Sequence, residues 1–152
     1  MAIEKTLILI KPGAVQRELI GEIISRFERK GIKITGMKMV MMSDWLIEKH
    51  YAHLLDKPFF ADVKKSMQRT PVVALALESH DIVKRVRTLT GATNPRDAAP
   101  GTIRGDFSIS LNNNVIHASA TPEEALTELQ RFFNEDELFD YRRMNVMDYS
   151  ED

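Results

Sequence analysis

A β-strand turns successive side chains to opposite faces, so an apolar run without alternation needs cover on both sides. Thr6-Leu7-Ile8-Leu9-Ile10 is such a run. It fits a central strand of a sheet buried on both faces, and the remainder of the chain has to supply that burial. Lys11-Pro12-Gly13 stops the run at once, because proline lacks a ladder donor and glycine frees the turn. The chain has 152 residues, enough for one domain that buries roughly 70% of the surface its unfolded form exposes. The longest apolar run, residues 72–77, is far too short to cross a bilayer.

The chain then reads as alternating elements. Leu19, Ile20, Ile23, Ile24 and Phe27 recur at helical spacing, and Gly31 ends that helix. Residues 32–34 alternate as a strand, but beyond Gly36 the apolar phase moves to Met37, Met39 and Met41. A one-residue slip reverses the faces of a strand, so a bulge or strong bend is expected near Gly36, with the methionines as core filler. Ser43 and Asp44 open a helix with Leu46, Ile47, Tyr51, Leu54 and Leu55 on one stripe, which Asp56-Lys57-Pro58 breaks. Phe59-Phe60 begins another helix, and two adjacent aromatics cannot both face one core. Pro71 leads a third strand over 72–77, Asp81 starts a helix, and Gly91 closes it. Residues 91–106 carry no helical or strand period, and a loop of that length in a compact domain is more often functional than idle. Phe107, Ile109 and Leu111 alternate weakly as a strand. A closing helix turns Ala125, Leu126, Leu129 and Phe132 inward, and the tail over 133–152 is polar and mixed. The fold class expected is α+β: a ferredoxin-like βαββαβ sandwich, a four-stranded antiparallel sheet covered by helices, in a single domain over 1–152.

Charge narrows the function. Lys plus Arg number 21 against 22 Asp plus Glu, a net charge of -1. A dedicated duplex nucleic-acid binder usually shows a basic excess, so none is expected here. The chain has no cysteine, which removes disulfides and thiolate metal sites and fits a reducing compartment. The first residues lack the layout of a secretory leader, so a soluble, cytoplasmic protein is expected.

The most informative stretch is Asn114-Val115-Ile116-His117-Ala118-Ser119-Ala120-Thr121-Pro122-Glu123-Glu124. A short β-branched run ends on a histidine, small residues follow, and Thr121, Pro122 and Glu124 spell a helix start with a capping box. His117 thus sits where a rigid backbone can aim an imidazole, with room beside it for a phosphate. His50 and His53 share a helix face at i, i+3, but no third ligand of matching spacing accompanies them, so no metal site is expected. G-x-x-x-x-G-K-[ST], G-x-G-x-x-G and H-R-D with D-F-G are all absent, which excludes a P-loop, a dinucleotide fingerprint and a protein kinase. Phosphates can instead be held by scattered cations: Lys11 at a strand end, Arg87 on a helix, Arg104 in the long loop. A neutral imidazole can attack phosphorus and carry the phosphoryl group as phosphohistidine.

At this point the residues carry a resemblance. Asn114-x-x-His117-Ala118-Ser119, Pro100-Gly101-Thr102-Ile103-Arg104-Gly105-Asp106-Phe107, Thr93-Asn94-Pro95, Lys11-Pro12 and Val15-Gln16-Arg17 together resemble nucleoside diphosphate kinase, collinearly from about residue 4 to 133. The resemblance implies that His117 takes the γ-phosphoryl of a nucleoside triphosphate and passes it to a diphosphate, by a ping-pong mechanism with broad base specificity. It implies that Glu128 orients the ring and Ser119 supports it. Lys11, Tyr51, Arg87, Thr93, Arg104 and Asn114 match phosphate and ribose contacts. Phe59 matches the base-stacking residue, with Val63 and Leu111 completing an apolar slot. Mg2+ would arrive on the nucleotide phosphates rather than in a protein cage. The resemblance also places 107–111 at the end of the loop rather than in a strand. It implies a homo-oligomer, and the tail after Asn134 favours a hexamer over a tetramer. Departures are Gly13 and Ala120, where the family commonly has Asp, and Ala118, where Gly is common. The rival reading is a non-catalytic nucleotide-binding oligomeric module; a single-stranded nucleic-acid binder using Phe59 and the arginines is a third.

Overall fold

The structure, a computed structural model, describes residues 2–144. Four strands, β1 (Ile3–Ile10), β2 (Lys33–Val40), β3 (Val72–His80) and β4 (Ile116–Ala118), form one sheet in the order β2-β3-β1-β4. Every neighbouring pair is antiparallel. This is the ferredoxin-like arrangement expected, and β1 is central as its unbroken apolar run requires.

The two faces of β1 feed two separate cores. Ile8 and Ile10 pack with Leu75, Ile116, the Ile23 and Phe27 stripe of α2 (Ile20–Arg29) and the Ile82 and Val86 stripe of α5 (Ile82–Thr90). Leu7 and Leu9 pack with Ala74, with Leu46 and Ile47 of α3 (Asp44–His50) and with Leu129 and Phe132 of α7 (Pro122–Phe132). Leu7, Ile8, Leu9 and Ile10 are all fully buried. Each such side chain contributes about 1.5–3 kcal/mol of transfer free energy, so this strand anchors both layers.

Local signals explain several element ends. Ser43 accepts the Leu46 amide at 3.1 Å to open α3. Thr121 accepts the Glu124 amide at 3.1 Å and Pro122 takes the first helical position of α7. The register of β2 against β3 shifts between Ile34 and Gly36, the bulge that the phase change required. A Cβ on Gly36 would come within 2.9 Å of Leu138, so the bulge also lets residues after α7 cross the edge strand closely. There Phe139 donates its amide to the Thr35 carbonyl, and Lys38 pairs with Glu137 at 2.9 Å. The polar tail thus begins by wrapping this edge; residues 145–152 lie outside the described residues.

Several expectations are corrected. Lys11-Pro12-Gly13 does not simply turn: Pro12 begins a one-turn helix, α1 (Pro12–Gln16), with Pro12 and Ala14 buried. α3 stops at His50, a 3-10 turn (Ala52–Leu54) follows, and Leu55 is exposed; α4 (Phe60–Met67) comes next. The long loop contains α6 (Ile103–Phe107), capped by Thr102, whose hydroxyl accepts the Gly105 amide. No strand forms over 107–111. Leu126 faces solvent at 58% exposure, not inward. Met37, Met39 and Met41 are not core filler, being 59%, 58% and 54% exposed.

Candidate active site

His117 is paired with Leu9 across the β1–β4 ladder and therefore points to the same face as Leu9, toward α3 and α7. Its neighbours Ile116 and Ala118 point the other way into the first core. Strand alternation thus separates one polar ring from two apolar anchors. Its Nε2 lies 3.1 and 3.0 Å from the two carboxylate oxygens of Glu128. A carboxylate only accepts, so Nε2 is the protonated nitrogen of the neutral ring. Nδ1 is left with its lone pair, and no group among the described residues hydrogen-bonds it.

Glu128 projects from α7, the helix that Thr121 and Pro122 initiate. Ser119, 1% exposed, donates its hydroxyl to Glu128 Oε1 at 2.5 Å. Burial pushes the Glu128 carboxyl up, but the bonds and charge supplied by His117, Ser119 and His50 hold it below the ordinary glutamate value. It stays ionised at neutral pH and can balance positive charge developing on the His117 ring.

Beside this dyad lies a cavity of about 600 Å³, within the size range of small-molecule sites. Lys11, Tyr51, Phe59, Val63, Leu111 and Asn114 are among its walls. Phe59 at 47% and Leu111 at 59% exposure offer unburied apolar surface on its rim. Of the two adjacent phenylalanines, Phe59 is the exposed one, as one of the pair had to be. His117 is not itself in the wall; Tyr51 packs edge-on against His50 and His50 edge-on against His117, linking the cavity's Tyr51 end to the dyad. Lys11 donates its amide to the Val115 carbonyl just ahead of β4. Burial, then the charge of Arg104, lowers its ammonium to about 8. Tyr51 is pushed up to about 12 by burial and by Glu128, so its hydroxyl remains a donor.

Arg104 is 4% exposed and bonded through each of its three nitrogens, to Asn114 Oδ1 at 3.2 Å, to the Gly91 carbonyl at 2.9 Å and to the Ile116 carbonyl at 3.2 Å, which leaves a second N–H on each terminal nitrogen. Burial and neighbouring Arg87 lower it to about 10, so it remains a cation. Asn114 also donates to the Thr93 carbonyl at 3.4 Å, which ties the long loop to β4. Arg87 is exposed and borders a different surface cavity, with Asp81 and Ala120; its field reaches Arg104. Val63 lines the same cavity as Phe59 and Leu111. Gly13 lines the cavity too, with nothing nearer its Cβ position than Arg69 at 3.9 Å, so the absent carboxylate leaves α1 intact.

Two residues were missed from sequence. His50 was set aside for want of a third ligand beside His53, yet its true neighbours, His117 and Glu128, are remote in sequence. Donor atoms of His50, His117 and Glu128 lie within 4.8 Å of one another, and among the described residues theirs is the metal-capable cluster found. Two imidazoles and one carboxylate do not suit Mg2+, which takes oxygen ligands. The second missed residue is Arg131, whose guanidinium reaches His50 Nδ1 at 3.2 Å. No helix among the described residues is long and apolar enough to cross a membrane.

A family model described as nucleoside diphosphate kinase matches residues 4–138. A nucleoside diphosphate kinase of Parabacteroides distasonis is 54% identical over 144 residues, covering 95% of this chain and 94% of its own length. Nucleoside diphosphate kinase A of Canis lupus familiaris is 49% identical over 139 residues, covering 91% of each chain. The solved structure of a halophilic nucleoside diphosphate kinase from Halobacterium salinarum in complex with CDP superposes with a TM-score of 0.90 at 43% identity, covering 94% of this chain and 95% of that one. With half of its residues shared over nearly its whole length, and the same fold, this chain belongs to the nucleoside diphosphate kinase family.

Proposed function

We propose that this chain moves the γ-phosphoryl group of a nucleoside triphosphate, typically ATP, to a nucleoside diphosphate in two half-reactions through His117. The observation that carries the reading is the His117–Glu128 pair, which takes up Nε2 and leaves Nδ1 as the free nucleophilic nitrogen. In the first half-reaction the Nδ1 lone pair forms a bond to the γ-phosphorus. The bond from that phosphorus to the β,γ-bridging oxygen breaks, and the diphosphate leaves with the electron pair. Phosphorylation puts positive charge on the ring, which the ionised Glu128 balances through Nε2–H, with Ser119 holding the carboxylate in place. The second half-reaction reverses these steps onto another diphosphate.

The nucleotide lies in the 600 Å³ cavity. Its base stacks on Phe59 against Val63 and Leu111, its sugar and phosphates run toward Lys11, Tyr51 and Asn114, and Arg104, Arg87 and Thr93 complete the phosphate end. Stacking contributes about 1–3 kcal/mol per base and hardly distinguishes bases, which supports broad specificity. Mg2+ enters as part of the nucleotide substrate, bridging and neutralising its phosphate charge, as suits a cation that keeps oxygen ligands from substrate and water. The exposed methionines of β2 support self-association, and the tail supports a hexamer over a tetramer. The absence of cysteine fits a reducing compartment that supplies ATP, which supports a cytoplasmic location. The rival, a binding module without turnover, is disfavoured because His117, Glu128 and the cations are all present.

The test is incubation of the purified protein with ATP followed by acid and base treatment. The expected product is an acid-labile, base-stable phosphoprotein that discharges onto a mixed set of nucleoside diphosphates. Uptake of phosphate with that lability by His117→Ala would refute the assignment.

A further inference from the structure

Behind His117 lies a second imidazole that the transfer chemistry leaves without a role. His50 closes α3 with its side chain 1% exposed, and its ring meets His117 edge-on with centroids 4.5 Å apart. Phe132 covers another edge at 5.3 Å. Two groups of opposite demand approach its Nδ1: Arg131 Nη1 at 3.2 Å and Glu128 Oε2 at 3.6 Å. A guanidinium can only donate. Nδ1 of His50 is therefore an acceptor, and the neutral ring carries its proton on Nε2. A proton on Nδ1 would point instead at Glu128, and His50 would then compete with His117 for the same carboxylate.

We propose that Arg131 and His50 form a tautomer lock behind the nucleophile: the guanidinium caps Nδ1 of His50, keeps that ring neutral, and so reserves Glu128 for Nε2 of His117. His50 and Arg131 are positioning residues in this scheme, since neither touches the phosphoryl group. The inference rests on the phosphohistidine reading above.

The charges around His50 support the lock. His117 faces it from β4, Glu128 and Arg131 from α7, and Lys11 from the end of β1, with Tyr51 packed beside it. Burial first, then repulsion between two imidazolium rings were His117 also to be protonated, and the charges of Arg131 and Lys11, hold the ring down to about 3 against the pull of Glu128. Arg131 is the only one of these that occupies Nδ1 itself. With it gone, the nearest charge to Nδ1 is the carboxylate at 3.6 Å, and an imidazolium there becomes its partner.

The experiment follows a single phosphorylation by ATP in the full-length protein from about pH 5.5 to 9, with the nucleotide KM measured alongside. Arg131→Met removes the donor but keeps chain length, and Arg131→Lys returns a cationic donor. Arg131→Met is expected to lose about tenfold in rate on the acid side, the low end for removing a partner behind a reactive group, with KM within about twofold. Arg131→Lys restores the rate, and adding His50→Phe to Arg131→Met abolishes the acid loss, because no second proton remains to compete. An Arg131→Met profile that overlays the wild type overturns the proposal, as does an acid loss that persists in the double variant. Should His50→Phe not fold, nitrogen NMR of the rings decides alone: Nε2–H on a neutral His50 at about pH 6 in the wild type supports the lock, and Nδ1–H overturns it. A wild type that takes no phosphate from ATP would sink the functional reading instead, and the NMR result would still judge the lock.

Discussion

Lys11, proposed above to meet the nucleotide phosphates, has to satisfy structure and binding on different terms. It sits where β1 ends and α1 begins, buried enough that its ammonium is lowered to about 8, with Arg104 adding repulsion. An anionic phosphate beside it reverses both effects and raises that value. The sign of the linkage follows: a group whose pKa is higher in the complex favours binding fully below its free value, about 8, and the benefit is lost as pH rises toward the bound value. Affinity for a nucleoside diphosphate is therefore expected to be flat near neutral pH and to weaken above about 8, by up to tenfold per pH unit for one proton. Calorimetry in buffers of different ionisation enthalpy should show proton uptake on binding there. Lys11→Arg, charged throughout, should bind without that pH dependence. A wild-type affinity unchanged between about pH 7 and 9.5 would contradict the assignment of Lys11 to the phosphates.

Elements, more than residues, decide how much of this molecule could be read from its sequence. The starts of α3 and α7 were legible because capping is local: Ser43 and Thr121 act within three positions. The bulge at Gly36 was legible because strand phase is a property of the run itself. α6 was not, since a helix of Ile103–Phe107 is too short to show a period and is held by what it touches. A Cβ on Gly105 would lie 2.0 Å from the Ala99 carbonyl, so this helix packs backbone to backbone against the loop that precedes it. Gly105→Ala must push α6 away and carry Arg104 with it. The expected cost is about 1–3 kcal/mol of stability, as for other overpacked sites. Because Arg104 holds Asn114 and the Gly91 and Ile116 carbonyls, thermal melting and nucleotide affinity should fall together. A variant that loses stability but binds nucleotide normally would show that α6 does not set the phosphate end. The site's principal residues were legible through their joint spacing, which matches a known family; His50 and Arg131 were not, because their meeting depends on how α3 and α7 pack.

At the scale of the molecule, the misread methionines point outward and offer a surface for the self-association proposed above. Met37 and Met39 pair with Leu75 and Val73, so they share the face that α2 and α5 cover, but β2 is the edge strand and these side chains remain 59% and 58% exposed. Strand period assigns a side chain to a face; it cannot say whether a helix reaches that far. Met41, 54% exposed, follows directly after the strand's end. The tail covers the other half of this edge, where Phe139 bonds to Thr35 and Tyr141 to Ile34, so the methionine half is what remains to be covered. Unpaired edges and adjoining apolar patches are the usual sites of association between chains. A single charge at the centre of such a contact, Met39→Glu, is therefore expected to dissociate the assembly while sparing the fold, since the side chain already faces solvent in the isolated protomer. Light scattering coupled to size exclusion should give a wild-type mass of several protomers and a reduced mass for the variant, with circular dichroism unchanged. A variant that keeps the wild-type mass would place the interface elsewhere. If the variant instead dissociates and phosphorylation by ATP persists in the protomer, the residues that carry the transfer all lie within one chain, as the closed network of Ser119, His117, Glu128, His50 and Arg131 requires.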